Sequence, residues 1–295
     1  MLDSKTMPAT QSSRRQFLKT AFSAAGALAV TGVAFDAVSL EPHHAVVENV
    51  EIRLPHLADA FKGFRLVQLS DIHFGPYIGE SVVQHAVNTV RNLKPDLIVL
   101  TGDFVSHPLR KGHGIEGARN AEPCAEILIQ LASTLMLAVL GNHDHWNNAG
   151  IVTTALRRNG IEVLLNQSVS IDRNGDRLWI AGVDDVLARS NDLDKTLKGL
   201  PAEEPVVLLA HEPDFADYAA KFPVHLQLSG HSHGGQVRIP GIGAPILPAM
   251  GAKYPMGLAR VGDLQVYTNR GLGLITPPVR FNCPPEITLI TLQQA

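Results

Sequence analysis

Five stretches of this chain are dominated by leucine, isoleucine, valine and alanine, and each gives way abruptly to polar side chains. Short runs of this kind are typical of strands buried in a parallel sheet. The stretches are residues 64–69, 96–100, 137–140, 206–210 and 224–228. Because the carboxyl ends of parallel strands meet at one edge of a sheet, the pattern predicts that the polar side chains converge there.

Helical periodicity separates several of these strands. Apolar residues at helical spacing predict helices over residues 80–93, 121–134, 147–159 and 214–221. The order strand, helix, strand between residues 64 and 100 is that of a βαβ unit, which pairs its strands in parallel. Further strands are predicted at 46–54, 161–165, 264–268 and 286–290, a hairpin at 168–183, and long loops at 104–120 and 234–257.

The composition is that of a globular protein. The chain has 295 residues, of which 45% are hydrophobic and 18% charged, enough for one large domain or two small ones. Its net charge of −3 offers no overall basic field, so no nucleic-acid partner is expected. The two cysteines, Cys124 and Cys283, are too few for a disulfide framework; two unpaired thiols are expected in preference to a single bridge, which stays open.

The N-terminus has the pattern of an export signal, with basic residues before an uncharged apolar run at 20–35. Its match to the twin-arginine signal consists of Ser13, Arg14, Arg15, Phe17, Leu18 and Lys19. The resemblance implies that the twin-arginine machinery exports the chain already folded, to the periplasm or cell envelope. The apolar run is shorter than the ~20 residues that span a bilayer comfortably, and the best cleavage position lies near Ala37. Cleaved export and an uncleaved membrane anchor both stay open.

The polar ends of the five strands carry side chains suited to binding metal ions. They are Asp71, His73, Asp103, Asn142, His143, His211, His231 and His233. Carboxylate oxygens and imidazole nitrogens suit Mn²⁺, Fe or Zn²⁺, and the lack of cysteine among them argues against a closed structural zinc site. In Asp71/His73 and His231/His233, side chains two positions apart on an extended segment point to one face. So many ligands suit two ions that share a carboxylate, which can hold both oxygens of an in-line displacement at phosphorus.

Together these segments resemble the calcineurin-like metallophosphoesterase family. The matching blocks are Asp71-x-His73, Gly102-Asp103, Gly141-Asn142-His143-Asp144, His211 and Gly230-His231-Ser232-His233. They stand in the family's order, and only Ala210, where the family commonly has glycine, departs from it. Residues 271–286 and the N-terminal signal are similar to exported bacterial phosphodiesterases of the YkuE and YaeI kind.

The resemblance implies an α/β fold of two mixed β-sheets packed face to face with flanking helices, a four-layer αββα sandwich. It divides the chain into a signal or anchor at 1–37, a transition segment with a strand at 38–63, and a metallophosphoesterase domain at 64–295. The implied activity is that of a dinuclear metal-dependent phosphohydrolase. We expect a phosphodiesterase in which a metal-bound hydroxide attacks phosphorus.

A role for each residue follows from the same resemblance. One divalent ion would be held by Asp71, His73 and His233, and the other by Asn142, His211 and His231. Asp103 would bridge the two ions. His143 would stabilise the transition state or protonate the leaving oxygen, and Asp144 would orient His143.

Two alternatives are weighed against this function. Related family members cleave the pyrophosphate of lipid-linked substrates of the UDP-2,3-diacylglucosamine type, and the apolar loop at 239–256 would shape an apolar entrance for such a substrate. A non-catalytic envelope-binding protein is disfavoured because no member of the ligand set is missing. Arg238, Arg270 and Arg280 are candidates for gripping a phosphate, with an ion-paired or surface position as an equal alternative.

The remaining histidines are given ordinary structural or surface positions. They are His43, His44, His56, His85, His145 and His225, with His145 adjoining the site. His107 and His113 lie in the polar loop and are expected to be exposed.

Overall fold

The structure is a computed structural model that describes residues 14–106 and 114–295. Strands within these residues form two six-stranded mixed sheets, which confirms the predicted fold class. The first sheet has the order β1 (Val46–Leu54), β12 (Glu286–Gln294), β2 (Arg65–Leu69), β3 (Leu97–Thr101), β4 (Met136–Val139), β5 (Glu162–Val163). The second has the order β10 (Gly257–Val261), β11 (Leu264–Thr268), β9 (Leu226–Ser229), β8 (Val206–Leu209), β7 (Asp176–Gly182), β6 (Gln167–Arg173).

Helices cover the outer faces of these sheets or precede them in the chain. They are α1 (Arg14–Phe35), α2 (Glu80–Leu93), α3 (Gly114–Ala118), α4 (Ala121–Leu128), α5 (Asn142–Arg158), α6 (Leu193–Leu197) and α7 (Ala216–Ala219). The βαβ unit predicted from the sequence is β2, α2 and β3, and its two strands pair in parallel. The predicted hairpin is β6 and β7, which pair antiparallel.

Alternation of side chains along the strands builds four layers. Leu66 and Val207 point between the two sheets, where they pack with apolar residues of both. Val67, the next residue of β2, points instead to the layer of α2, α4 and α5. Leu208, the next residue of β8, packs on the opposite outer face with residues of α6 and α7. Successive residues of a strand face opposite sides of its sheet, so each strand contributes to two layers.

Some elements differ from the predictions. Helix α5 begins at Asn142, five residues before the predicted start, because Gly141 caps it in an extended conformation and the Asp144 carboxylate accepts the Gly141 N–H. Strand β10 was not predicted, and α3 lies inside the predicted loop 104–120. His107 and His113 lie outside the described residues.

Helix α1 continues through a π-helical turn (Asp36–Leu40) and a 3₁₀ turn (Glu41–His43). Among the described residues, this helix is the one candidate that is long and apolar enough to cross a membrane. The apolar run alone is shorter than a bilayer requires, but the helical flanks on both sides extend it. All side chains from Arg14 to Phe35 are exposed, so the helix adds no side chain to the core of the described residues.

Candidate metal centre

The predicted ligands meet where strands of both sheets end. Asp71 and His73 follow β2, Asp103 follows β3, and Asn142 to Asp144 open helix α5 after β4. From the second sheet, His211 follows β8, and His231 and His233 follow β9. The structure brings together all nine of the predicted site residues, and only His143 is not fully buried.

One group of ligand atoms gathers around Asp71. The Nε2 atoms of His73 and His233 lie 3.0 Å apart. The Asp71 Oδ1 atom lies 3.3 Å from the His233 Nε2 atom and 3.9 Å from the His73 Nε2 atom. The carboxylate is held by the Ser70 hydroxyl, at 2.6 Å, and by the backbone N–H of His231. These three side chains therefore point one ligand atom each at a common position.

A second group gathers around His211. Its Nδ1 atom lies 2.6 Å from the Thr101 carbonyl, which can only accept, so Nδ1 carries the proton. The Nε2 lone pair then faces the Oδ2 atom of Asp103 at 3.2 Å. His231 donates its Nε2–H to the Ala249 carbonyl at 2.8 Å, which leaves its Nδ1 atom for the site. Hydrogen bonds of this kind fix the tautomer of metal-binding histidines.

Asp103 is shared by the two groups. Its Oδ1 atom accepts the backbone N–H of His143 at 2.8 Å. Its Oδ2 atom lies 3.5 Å from the His73 Nε2 atom and 3.2 Å from the His211 Nε2 atom. One carboxylate oxygen thus faces an imidazole from each group, which is the position that a bridging ligand requires.

The spacing of these atoms fits cations. Ligands about 2.1 Å from one small metal ion lie roughly 3.0–3.4 Å from each other, which matches several of the separations above. Two acceptors that face each other, such as Asp103 Oδ2 and His211 Nε2, need a proton or a cation between them. The buried Oδ1 atom of Asn142 also has no hydrogen-bond partner among the described residues, as expected for a metal ligand.

The electrostatics of the site favour neutral imidazoles at most positions. Burial lowers the pKa of His73 and of His233 well below the usual value, and burial with the neighbouring His211 lowers the pKa of His231 to about 4. Burial also opposes charge on Asp103 and His211, but their mutual attraction outweighs it. The pKa of Asp103 therefore lies well below its usual value and that of His211 well above it. A bound cation would take the place of the His211 proton.

The backbone at the site is not extended, which corrects one step of the sequence argument. Asp71, His73, Asp103, His231 and His233 all have positive φ, between 49° and 68°. Left-handed residues other than glycine are uncommon and cluster at functional sites. The residues two positions apart therefore reach the same centre through tight turns, and not because they share one face of a strand.

Two glycines admit this close approach. A Cβ atom on Gly141 would lie 2.3 Å from the Asp103 Oδ1 atom, and one on Gly230 would lie 1.9 Å from the Ser70 Oγ atom. Both neighbours are buried side chains of the site, and neither can move without displacing a ligand. Any larger residue at these positions would deform the centre.

The Asp144 carboxylate is hydrogen-bonded to the backbone around the start of α5. Its carboxylate accepts backbone N–H groups from Gly141, Asp103, Phe104 and Val105, at 2.9–3.3 Å. Four donors fill the acceptor capacity of a carboxylate, so Asp144 would orient His143 through the backbone of this turn, and that role stays a prediction. Burial and the nearby Asp103 raise the pKa of Asp144 to about 7, against the amide donors that favour its charged form. Asp144 therefore fastens the Asp103 loop to the start of α5.

Replacing Asp144 by asparagine is expected to lower the free energy of unfolding by about 3 kcal/mol. The asparagine NH₂ group would face backbone N–H donors and leave at least one of them unsatisfied in the core. Denaturant-induced unfolding measures this, with Asp263→Asn in the exposed turn before β11 as the matched control. Equal stability of the two variants would contradict this role.

Two of the three candidate phosphate-binding arginines are structural. Arg280 is fully buried and donates to four backbone carbonyls between residues 270 and 283, at 2.7–3.1 Å. Arg270 is paired with Glu48 at 2.6 Å and with Glu286 at 2.7 Å. Their guanidinium groups are occupied in holding the segment that follows β11. Arg270 is therefore the ion-paired arginine of the alternative, whereas Arg280, within the part of the chain that the structure describes, is neither ion-paired nor on the surface.

The site opens through a partly apolar mouth, to which the loop expected to shape an apolar entrance contributes Pro248 and Ala249. A cavity of about 340 Å³ is bounded by ligands and by Trp146, Leu187, Pro248, Ala249 and Ile275. His143 stands at this mouth, with its ring centroid 4.6 Å from that of His73 and 4.9 Å from that of Trp146. No sequence pattern pointed to Trp146, Leu187 and Ile275 as the other apolar residues of the mouth.

His145 adjoins this mouth through a contact that the sequence could not predict. Its Nε2 atom lies 2.7 Å from the Asp184 Oδ1 atom, and both side chains are largely buried. Burial lowers the pKa of His145, but the hydrogen bond and charge of Asp184 outweigh this and raise it overall. The pair ties the first turns of α5 to the segment that carries Leu187.

Comparison with known proteins yields a consistent set of matches. The model of the calcineurin-like phosphoesterase family matches residues 64–235. The uncharacterized metallophosphoesterase YkuE of Bacillus subtilis is 36% identical over 287 residues, which are 95% of this chain and 98% of the relative. The phosphodiesterase YaeI of Escherichia coli is 31% identical over 83% of this chain and 88% of its own length. A zebrafish (Danio rerio) transmembrane protein with a metallophosphoesterase domain is 35% identical over 84% of this chain, which spans 57% of that relative.

Proposed function

The chain belongs to the calcineurin-like phosphoesterase family, and from this premise we propose that it is a dinuclear metal-dependent phosphodiesterase. The observation that carries the proposal is the pair of ligand groups that share Asp103. Asp71, His73 and His233 would hold one ion, and Asn142, His211 and His231 the other. Mn²⁺, Fe and Zn²⁺ all suit this mixture of oxygen and nitrogen ligands.

Two divalent cations, when bound, supply positive charge at the phosphoryl oxygens and acidify a water molecule. The chain's own residues then position the ester. His143 is not among the ligands proposed above, and it stands at the mouth of the site, where its ring can donate a hydrogen bond to an ester oxygen. The hydrogen bonds of Asp144 hold the Asp103 loop and the His143 turn in one rigid unit.

We further propose that the chain is exported and held at the cell envelope by its N-terminal helix. Support comes from the twin-arginine pattern in the sequence and from the length of the helix. The transmembrane character of the zebrafish relative agrees with an anchor.

A lipid-linked pyrophosphate of the UDP-2,3-diacylglucosamine type is the second candidate substrate. It is favoured by the apolar rim of the cavity, where Trp146, Pro248 and Ile275 would meet an acyl chain. The same ligand set would serve either reaction, because both are displacements at phosphorus.

Hydrolysis of bis(p-nitrophenyl) phosphate against the monoester p-nitrophenyl phosphate tests the function. Metal-stripped protein should be inactive, and added Mn²⁺ or Zn²⁺ should restore cleavage of the diester in preference to the monoester. Preferential cleavage of the monoester, or equal rates with and without metal, would overturn the proposal. Turnover of neither ester, together with cleavage of the lipid-linked pyrophosphate, would select the second candidate.

A further inference from the structure

The loop of residues 239–247, which we call the isoleucine loop, presents apolar side chains to solvent. Ile242 is 74% exposed and Ile246 is 78% exposed. Backbone hydrogen bonds fix the conformation of the loop: the N–H groups of Ile239 and Gly243 each donate to the carbonyl of the other, at 2.8–2.9 Å. No charged residue occurs from 239 to 252. An exposed, uncharged and fixed apolar loop of this kind marks an interaction surface.

The end of the N-terminal helix is fastened to the domain. Arg280 donates its backbone N–H to the Ala37 carbonyl at 2.9 Å. The Glu41 carboxylate accepts the backbone N–H of Asn282, at 2.9 Å, and that of Cys283. Pro42 is buried beside these contacts. The helix therefore leaves the domain from a fixed point instead of a free linker.

The same short segment also holds the base of the isoleucine loop. Phe281 donates its N–H to the Gln236 carbonyl and accepts the N–H of Arg238 at 2.8 Å. Ile239 is the next residue. From these contacts and the length of the intervening backbone, Ala37 and Ile239 lie within about 20 Å of each other. If the N-terminal helix is inserted in a bilayer, the isoleucine loop would therefore lie close to the surface of that bilayer.

We propose that the isoleucine loop is a second membrane contact, which inserts into the lipid headgroup region next to the helix that anchors the chain. A bilayer fits better than a soluble partner because the isoleucine loop and the nearby end of the helix both expose apolar side chains. Val38 and Leu40 at the docked end of the helix are also exposed, as are Ile242 and Ile246. Apolar side chains at this depth of a bilayer are stabilised in proportion to the area they bury.

The contact would set the orientation of the active site. The isoleucine loop runs directly into Pro248 and Ala249, which line the mouth, and Ala249 holds the ring of His231. Two attachments, the helix and the loop, fix an orientation that one flexible anchor would leave free. The mouth would then lie at the membrane surface, and, resting on the proposed function, the substrate would be a phosphodiester or pyrophosphate presented there.

Site-directed labelling of the full chain in phosphatidylethanolamine–phosphatidylglycerol vesicles tests the contact. Ile242→Cys provides a reactive thiol for an environment-sensitive dye, while Cys124 and Cys283 are fully buried and should not react. Ile151→Cys, an exposed isoleucine on α5, is the matched control. With nitroxide lipids labelled near the headgroup, we expect about threefold stronger quenching at position 242 than at 151, because interfacial residues lie within ~5–10 Å of that depth.

Equal quenching at the two positions would overturn the proposal. A blue-shifted dye at 242 that the nitroxide lipids do not quench would also overturn it, since a second protein copy would then cover the loop. Turnover of a soluble diester on the same vesicles is measured in parallel. Quenching without turnover of this diester or of the lipid-linked pyrophosphate would support the membrane contact and reject only the proposed function.

Discussion

Replacing Asp103 by asparagine is expected to lower diester turnover by about a thousandfold, roughly 4 kcal/mol of transition-state stabilisation. The Oδ2 atom of Asp103 lies within 3.5 Å of an imidazole nitrogen from each ligand group, whereas the Oδ1 atom of Asp71 is 4.0 Å from the His211 Nε2 atom. Asparagine would keep the acceptor for the His143 N–H but would put a neutral group, without bridging capacity, in place of the charged oxygen. Steady-state kinetics together with the metal content of the purified protein measure the effect, and we expect both to fall.

Asp176→Asn, at the exposed start of β7, is the control for this substitution and should leave both quantities unchanged. If the Asp103 variant kept two metal ions per chain and wild-type turnover, the shared carboxylate would have no part in the centre.

Replacing His143 by alanine is expected to lower kcat about 10²- to 10³-fold while the protein retains its metal. We expect this result because of where the His143 side chain lies. The His143 ring stands at the mouth, and its backbone N–H, which alanine preserves, is what supports Asp103. The variant thus removes a hydrogen-bond donor to the ester without removing a ligand.

Metal analysis decides how this result is interpreted. Ligand atoms of His143, His73 and Asp103 also lie close enough to hold an ion together, so a loss of metal in the variant would make His143 a ligand. His85→Ala, an exposed histidine on α2, is the control and should behave as the unsubstituted protein does.

Much of the fold could be predicted because the apolar pattern is strong. The strands that carry the site are short, apolar and followed at once by polar residues, and the structure places them as expected. The start of α5 was misplaced because Asn142 and His143 are weak helix formers. The Gly141 cap, completed by Asp144, starts the helix there through contacts that periodicity does not reveal.

The composition of the site was easier to predict than its geometry. Residue types and their positions after strands indicated metal ligands, but not the left-handed turns at Asp71 and His231. Those conformations depend on tertiary contacts, such as the hydrogen bonds from the His231 N–H to the Asp71 carboxylate. The sequence left Arg270 and Arg280 open between phosphate and a structural position for the same reason, since their partners are distant in sequence or belong to the backbone. The individual metal and catalytic roles stay predictions.

The ligands come from both sheets, so a bound ion would connect parts of the chain that are far apart in sequence. His73 and His233 are 160 residues apart, and they come from different sheets. A cation shared by them would close a loop of that length, in the manner of a reversible crosslink between the two halves of the sandwich. Closure of such long loops removes entropy from the unfolded chain. Cofactor content would then act on the assembly of the sandwich itself, because an ion held by both halves favours the folded over the unfolded chain.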